Sequence, residues 1–101
     1  MPETLKQVRR ELDQRLFEIR KGANRLSPLD IHTRLNAIRD LAGRNGMTAL
    51  EGLAAHSARV ALLPGCRVAV QHCLAHMDEA LDSRSPADRQ AILAAVAVRL
   101  H

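Results

Sequence analysis

The amino-acid sequence predicts an all-α protein, an antiparallel four- or five-helix bundle in a single domain covering residues 1–101. Three observations lead there. Apolar residues recur at spacings of three and four along most of the chain, the period of a helix with one buried face. Phe17 is the sole aromatic residue, with no Trp or Tyr, so the core must be built from Leu, Ile, Val, Met and Ala, which suit closely packed helices better than sheets. Gly and Pro fall between the periodic segments, Gly52 being the main exception, which argues against both disorder and an all-β design. A length of 101 residues suffices for one core and not for two.

The first helix is expected from about Glu3 to Lys21, with Leu5, Val8, Leu12, Leu16 and Ile19 on its inner face. Gly22 and the residues after it end this helix. Ser27-Pro28 with Asp30 then forms a start signature: a capping hydroxyl, a proline whose missing N–H costs nothing at the first helical position, and an acid in the first turn. The second helix carries Ile31, Leu35, Ile38, Leu41 and Ala42 inward and should end near Arg44, where Gly-Arg-Asn-Gly tolerates positive φ. Thr48 and Glu51 read as a capping pair opening a third helix with Leu50, Leu53, Ala54, Val60 and Ala61 in the core, closed by Pro64-Gly65.

A fourth helix is expected from about Cys66 to Leu81, burying Val70, Cys73 or Leu74, Met77 and Leu81. Ser85-Pro86 with Asp88 repeats the start signature, and the fifth helix runs from Pro86 to Leu100 with Ile92, Leu93, Val96 and Leu100 inward. Its segment Ala91–Val98 is apolar on more than one face. Such a helix sits centrally in the bundle or is covered by a second copy, so a homodimer through Pro86–Leu100 is one expectation.

The net charge of +4 and pI near 10 raise the question of nucleic acid. Lys6, Arg9, Arg10, Arg15, Arg20, Lys21 and Arg25 are, however, interleaved with Glu3, Glu11, Asp13 and Glu18, and the other basic residues are scattered singly. That pattern is a solvated helix face rather than a phosphate-binding stripe. Cys66 and Cys73 would lie about 10 Å apart on one helix, too far for a disulfide. Free thiols, no apolar leader in Met-Pro-Glu-Thr-Leu, and no apolar run long enough for a bilayer lead to the expectation of a cytoplasmic protein with no membrane contact.

Between Asn36 and Leu62 the run Asn-Ala-Ile-Arg-Asp-Leu-Ala-Gly-Arg-Asn-Gly, followed by Leu50 and Leu53, resembles the signature of histidine-containing phosphotransfer domains over about a quarter of the chain. That family's stretch reads His-Thr-Leu-Lys-Gly-Ser-Ala-x-x-x-Gly and then Leu-x-x-Leu. Ile38 falls on its Leu, Arg39 on its Lys, Ala42 on its small residue and Gly46 on its turn glycine. Asn36 stands at the phosphoacceptor position and Asp40 at the following glycine. An amide forms no phosphoramidate, and a carboxylate there repels a phosphoryl group. His32 lies one turn earlier, and a register matching His32-Thr33 to His-Thr puts Leu35 on the Lys and loses the turn glycine.

The resemblance implies a non-catalytic adaptor that docks a receiver or kinase domain over the exposed side of the second helix. His32, Asn36, Arg39 and Asp40 are the expected binding residues, and no cofactor is called for. The plain alternative makes these four a solvated helix face.

Other constellations point less far. His72, His76 and Glu79 share a stripe beside Cys73, yet no third zinc ligand is identifiable, so surface histidines next to a buried thiol are expected. Ala42-x-x-x-Gly46 has the turn spacing of a DNA-binding helix-turn-helix. Gly52 stands at its expected apolar position, and Glu51 with mostly Ala and Leu replaces base-reading side chains. The function expected is therefore protein–protein interaction, with structural homodimerisation as the alternative and a basic nucleic-acid binder behind it.

Overall fold

The computed structural model describes residues 5–65, 67–82 and 87–99, and all of its regular structure is helical. The helices are α1 (Leu5–Gly22), α2 (Pro28–Arg44), α3 (Thr48–Val60), α4 (Arg67–Ala75), α5 (Met77–Asp82) and α6 (Ala87–Arg99). The protein is an all-α bundle. Its buried residues form one continuous aliphatic core to which every helix contributes.

α1 buries Val8, Leu12, Leu16 and Ile19, as the period predicts, and leaves Phe17 more than half exposed with the Lys21 ammonium 6.0 Å from its ring. After α1 the Gly22 carbonyl accepts from the N–H groups of Arg25 and Leu26. Ser27 then caps α2: its Oγ accepts from the Asp30 N–H at 3.1 Å, with Pro28 in the first turn. Ile31, Leu35, Ile38, Leu41 and Ala42 are buried, the stripe expected from their spacing.

The turn from α2 to α3 is a Schellman motif. The Met47 N–H reaches back to the Ala42 carbonyl at 2.9 Å and the Gly46 N–H to that of Gly43 at 3.3 Å, with Gly46 at φ +71°. The side-chain amide of Asn45 also donates to the Leu41 carbonyl. Here the expected Thr48–Glu51 capping pair gives way. Met47, used up as the last residue of the motif, becomes the N-cap with no side-chain cap bond, and Thr48 is already helical.

The predicted fourth helix is interrupted. α4 ends at Ala75, His76 is a turn, and α5 begins at Met77, although no glycine or proline marks the site. The cause lies on α1. The Arg20 guanidinium donates to the Leu74 carbonyl at 2.8 Å and stands 3.4 Å from the Asp78 carboxylate, while the His76 N–H takes the tighter bond to the Cys73 carbonyl. The Leu74 acceptor is thus served from another helix. Val70, Cys73, Leu74, Met77 and Leu81 remain buried on either side of the break.

α6 lies against α3 and buries Ile92 and Val96, with Leu93 half-buried and Ala91, Ala94 and Ala95 exposed. It is neither fully enclosed nor free of the bundle. Cys66, the Ser85-Pro86 start signature and Leu100 lie outside the described residues, as do the first residues of the expected first helix. Among the described residues no helix is long and apolar enough to cross a membrane.

The ion pairs set α1 antiparallel to α5. Arg9 of α1 pairs with Asp82 and Arg20 with Asp78, while Glu18 meets Arg34 of α2 at 3.7 Å. Several α1 cations are consequently spent inside the molecule, Arg15 among them on Glu11 at 2.9 Å.

Candidate functional site

α2 places His32, Asn36, Arg39 and Asp40 along one side by helical spacing, but they do not form one open face. His32, Asn36 and Arg39 are half-buried and Asp40 is exposed. His32 Nδ1 lies 2.7 Å from the Ala58 carbonyl of α3, and the Asn36 amide nitrogen lies 3.0 Å from Nε2. A carbonyl only accepts, so Nδ1 carries the proton and Nε2 accepts from the amide.

The local fold explains this arrangement. The last carbonyls of a helix lack intrahelical donors. At the end of α3 those of Ser57, Arg59 and Val60 accept from the N–H groups of Ala61, Leu62 and Leu63, and that of Ala58 takes His32. His32 is therefore a strut between the start of α2 and the end of α3. Its Nε2 lone pair, the group a phosphoryl acceptor would need, faces Asn36.

Arg39 and Asp40 turn toward each other at 3.2 Å, a surface pair worth about 0–1 kcal/mol. An acidic partner reaching for Arg39 must displace this neighbour. Beyond them, a Cβ on Gly43 would collide with the Glu51 carboxylate, so the missing side chain lets Glu51 lie across α2.

The stripe on α4 and α5 has its own geometry. The His72 and His76 rings meet edge to face at 4.9 Å between centroids, and His76 Nδ1 is 3.3 Å from Glu79 Oε2. Cys73 is fully buried, and burial pushes its thiol pKa up, partly opposed by a hydrogen bond with Ser57. Ser57, itself buried, donates to the Leu53 carbonyl at 2.7 Å. Among the described residues no three His, Cys, Asp or Glu side chains converge as a metal site.

A feature not foreseen from the sequence lies at one end of the bundle. There α2 starts beside the end of α3, and Arg67, Val70 and Gln71 of α4 face Ala23, Leu26, Pro28 and Ile31 across a cleft of about 100 Å³. Leu29, Leu62, Leu63 and Val68 belong to the same end and are 64%, 51%, 58% and 75% exposed. The available signal was their failure to fit a stripe. Leu62-Leu63 follow the last periodic position of the third helix, and Leu29 and Val68 stand off the inward faces of theirs.

No family model, no curated protein and no solved structure matches the chain.

Proposed function

We propose that this protein is a non-catalytic protein–protein interaction domain, a cytoplasmic adaptor that docks a partner with the end of the bundle built by loops 23–27 and 61–65. One observation carries the reading. Of the five large hydrophobic side chains exposed among the described residues, four, Leu29, Leu62, Leu63 and Val68, belong to the segments at this end, Leu29 and Val68 next in the chain to the cleft residues Pro28 and Arg67. Single exposed leucines are ordinary on any surface, whereas a gathered set keeps apolar area in water that a partner would cover at about 25 cal/mol per Å².

Photo-crosslinking tests the reading in cells that express the protein. A benzophenone amino acid at Leu63 should yield a discrete adduct with another polypeptide, and the same group at the exposed Gln14 of α1 should not. An adduct-free Leu63 position sinks the proposal.

The resemblance to phosphotransfer domains supplies a narrower version, in which the partner is a receiver or kinase domain seated over His32, Asn36, Arg39 and Asp40. Docking without chemistry suits a His32 whose two ring nitrogens already have partners. Incubation with acetyl phosphate should give no acid-labile label that disappears in His32→Ala. The exposed Ala91, Ala94 and Ala95 of α6 favour a second reading, a homodimer closed through small residues. Sedimentation as a strict monomer at micromolar concentration removes it.

A further inference from the structure

From the charges around the exposed apolar end we infer that its partner is an acidic amphipathic helix, inserting one apolar side chain into the cleft between loop 23–27 and α4. The inference rests on the docking reading above and names the chemistry of the partner.

The size of the cleft sets the kind of occupant. At about 100 Å³ it is well below the several hundred Å³ typical of small-molecule and cofactor sites and matches a single anchoring side chain. Its walls are mostly apolar: Ala23, Leu26, Pro28, Ile31 and Val70, joined by Arg67 and Gln71. Leu29 and Val68 follow the cleft residues Pro28 and Arg67 in the chain, and Leu62 and Leu63 lie in the loop before α4, so exposed apolar side chains are at hand for the further i, i+3, i+4 and i+7 positions of a helix.

The charge of the rim selects the sign of the partner. Arg25, Arg59 and Arg67 are exposed at this end, and Asp30, in the first turn of α2, is the one exposed carboxylate on the segments that form it, residues 23–32 and 58–71, among the described residues. Elsewhere among the described residues Arg9, Arg15, Arg20, Arg34 and Arg39 are matched to carboxylates within the molecule, whereas Lys6, Arg10, Lys21 and Arg44 are not. Three arginines with no carboxylate partner among the described residues thus stand on the same segments as the exposed apolar side chains, against a single carboxylate. Carboxylates flanking an apolar stripe complement such a rim and speed encounter. A second copy of this chain would instead bring the same three arginines against themselves, and nucleic acid offers nothing to cover four aliphatic side chains.

Fluorescence anisotropy with two labelled helical peptides of roughly 16 residues, about 24 Å long, tests the assignment. Both carry the same leucine stripe; one bears Glu and the other Lys on its remaining faces. The Glu peptide should bind about tenfold or more tightly than the Lys peptide, more weakly as salt rises, and about tenfold less tightly to Arg67→Glu or Leu63→Asp. Both variants change exposed side chains, and unaltered circular dichroism confirms that they fold.

Equal binding of the two peptides, or binding of neither, overturns the acidic-helix assignment. A crosslinked partner at Leu63 would still leave the docking reading standing in either case. Tighter binding of random duplex DNA than of the Glu peptide also overturns it, as does a dimer that Leu63→Asp returns to monomer.

Discussion

The α2–α3 hairpin and the α4–α5 break are both sharp changes of direction between short helices, and they arise from opposite causes. At the hairpin every determinant is local. Gly46 supplies the left-handed residue, the Ala42 and Gly43 carbonyls receive the returning N–H groups, and Met47 packs against the core. At the break nothing local demands a turn. Residues 70–82 hold neither glycine nor proline, and the Leu74 carbonyl is taken by Arg20, some fifty positions away in the chain. A turn written in neighbouring residues should survive changes elsewhere. A turn imposed by another helix should respond to them.

The largest expected effect bears on the core that both regions share. Leu53→Ala, at a fully buried position in the middle of α3, should cost about 2–5 kcal/mol in urea unfolding. A smaller loss would mean that the bundle collapses around the void. Next comes Gly46→Ala. A Cβ there meets nothing within 4 Å, so the cost is that of the backbone at φ +71°, about 1–2 kcal/mol. A neutral result would show that the hairpin does not depend on its own glycine.

Ser27→Ala should remove about 1 kcal/mol by leaving the Asp30 N–H without its cap. Arg20→Leu should cost about 1 kcal/mol or less, because the guanidinium is partly solvated. Its diagnostic is structural: slower hydrogen exchange at Asp78, whose N–H can then bond the vacated Leu74 carbonyl and join α4 to α5. Unchanged exchange at Asp78 would break the contrast drawn above.

The smallest effect is a pH dependence centred on His56 of α3. Its Nε2 is buried without a hydrogen-bond partner, and burial, followed by the nearby Arg59 charge, pushes its pKa below the usual value. A histidine depressed in the folded state is protonated more readily when unfolded. Its contribution is therefore fully present above the unfolded pKa of about 6.5 and is lost as pH falls through that value toward the folded one. Urea midpoints measured on either side of that pKa should converge in His56→Gln relative to the parent protein.

The same division between local and distant causes explains what was legible in advance. The Ser27-Pro28-Asp30 start, the Gly46 turn and the apolar stripes of α1, α2 and α3 all depend on residues within a few positions of one another, and each appears where its spacing places it. The Thr48–Glu51 pair is a correct pattern overruled by its neighbour, since the motif ending α2 already claims Met47. At the candidate site, helical spacing put His32 beside Asn36 but left open what lay opposite. The Ala58 carbonyl, which has no sequence signature, draws the His32 ring into the seam between the two helices.

The apolar end belongs wholly to the second kind. Leu29, Leu62, Leu63, Val68, Arg25, Arg59 and Arg67 come from three separate stretches, and each taken singly is an unremarked surface residue. The sequence by itself determined an all-α bundle with an aliphatic core and the places where most helices begin and end, because hydrophobic period, caps and turn glycines act over one or two turns of chain. Only the tertiary structure decided where α4 breaks, that His32 braces α3, and that four exposed side chains and three arginines share one end. Those outcomes depend on which helix lies beside which, a relation that packing sets and no local pattern encodes.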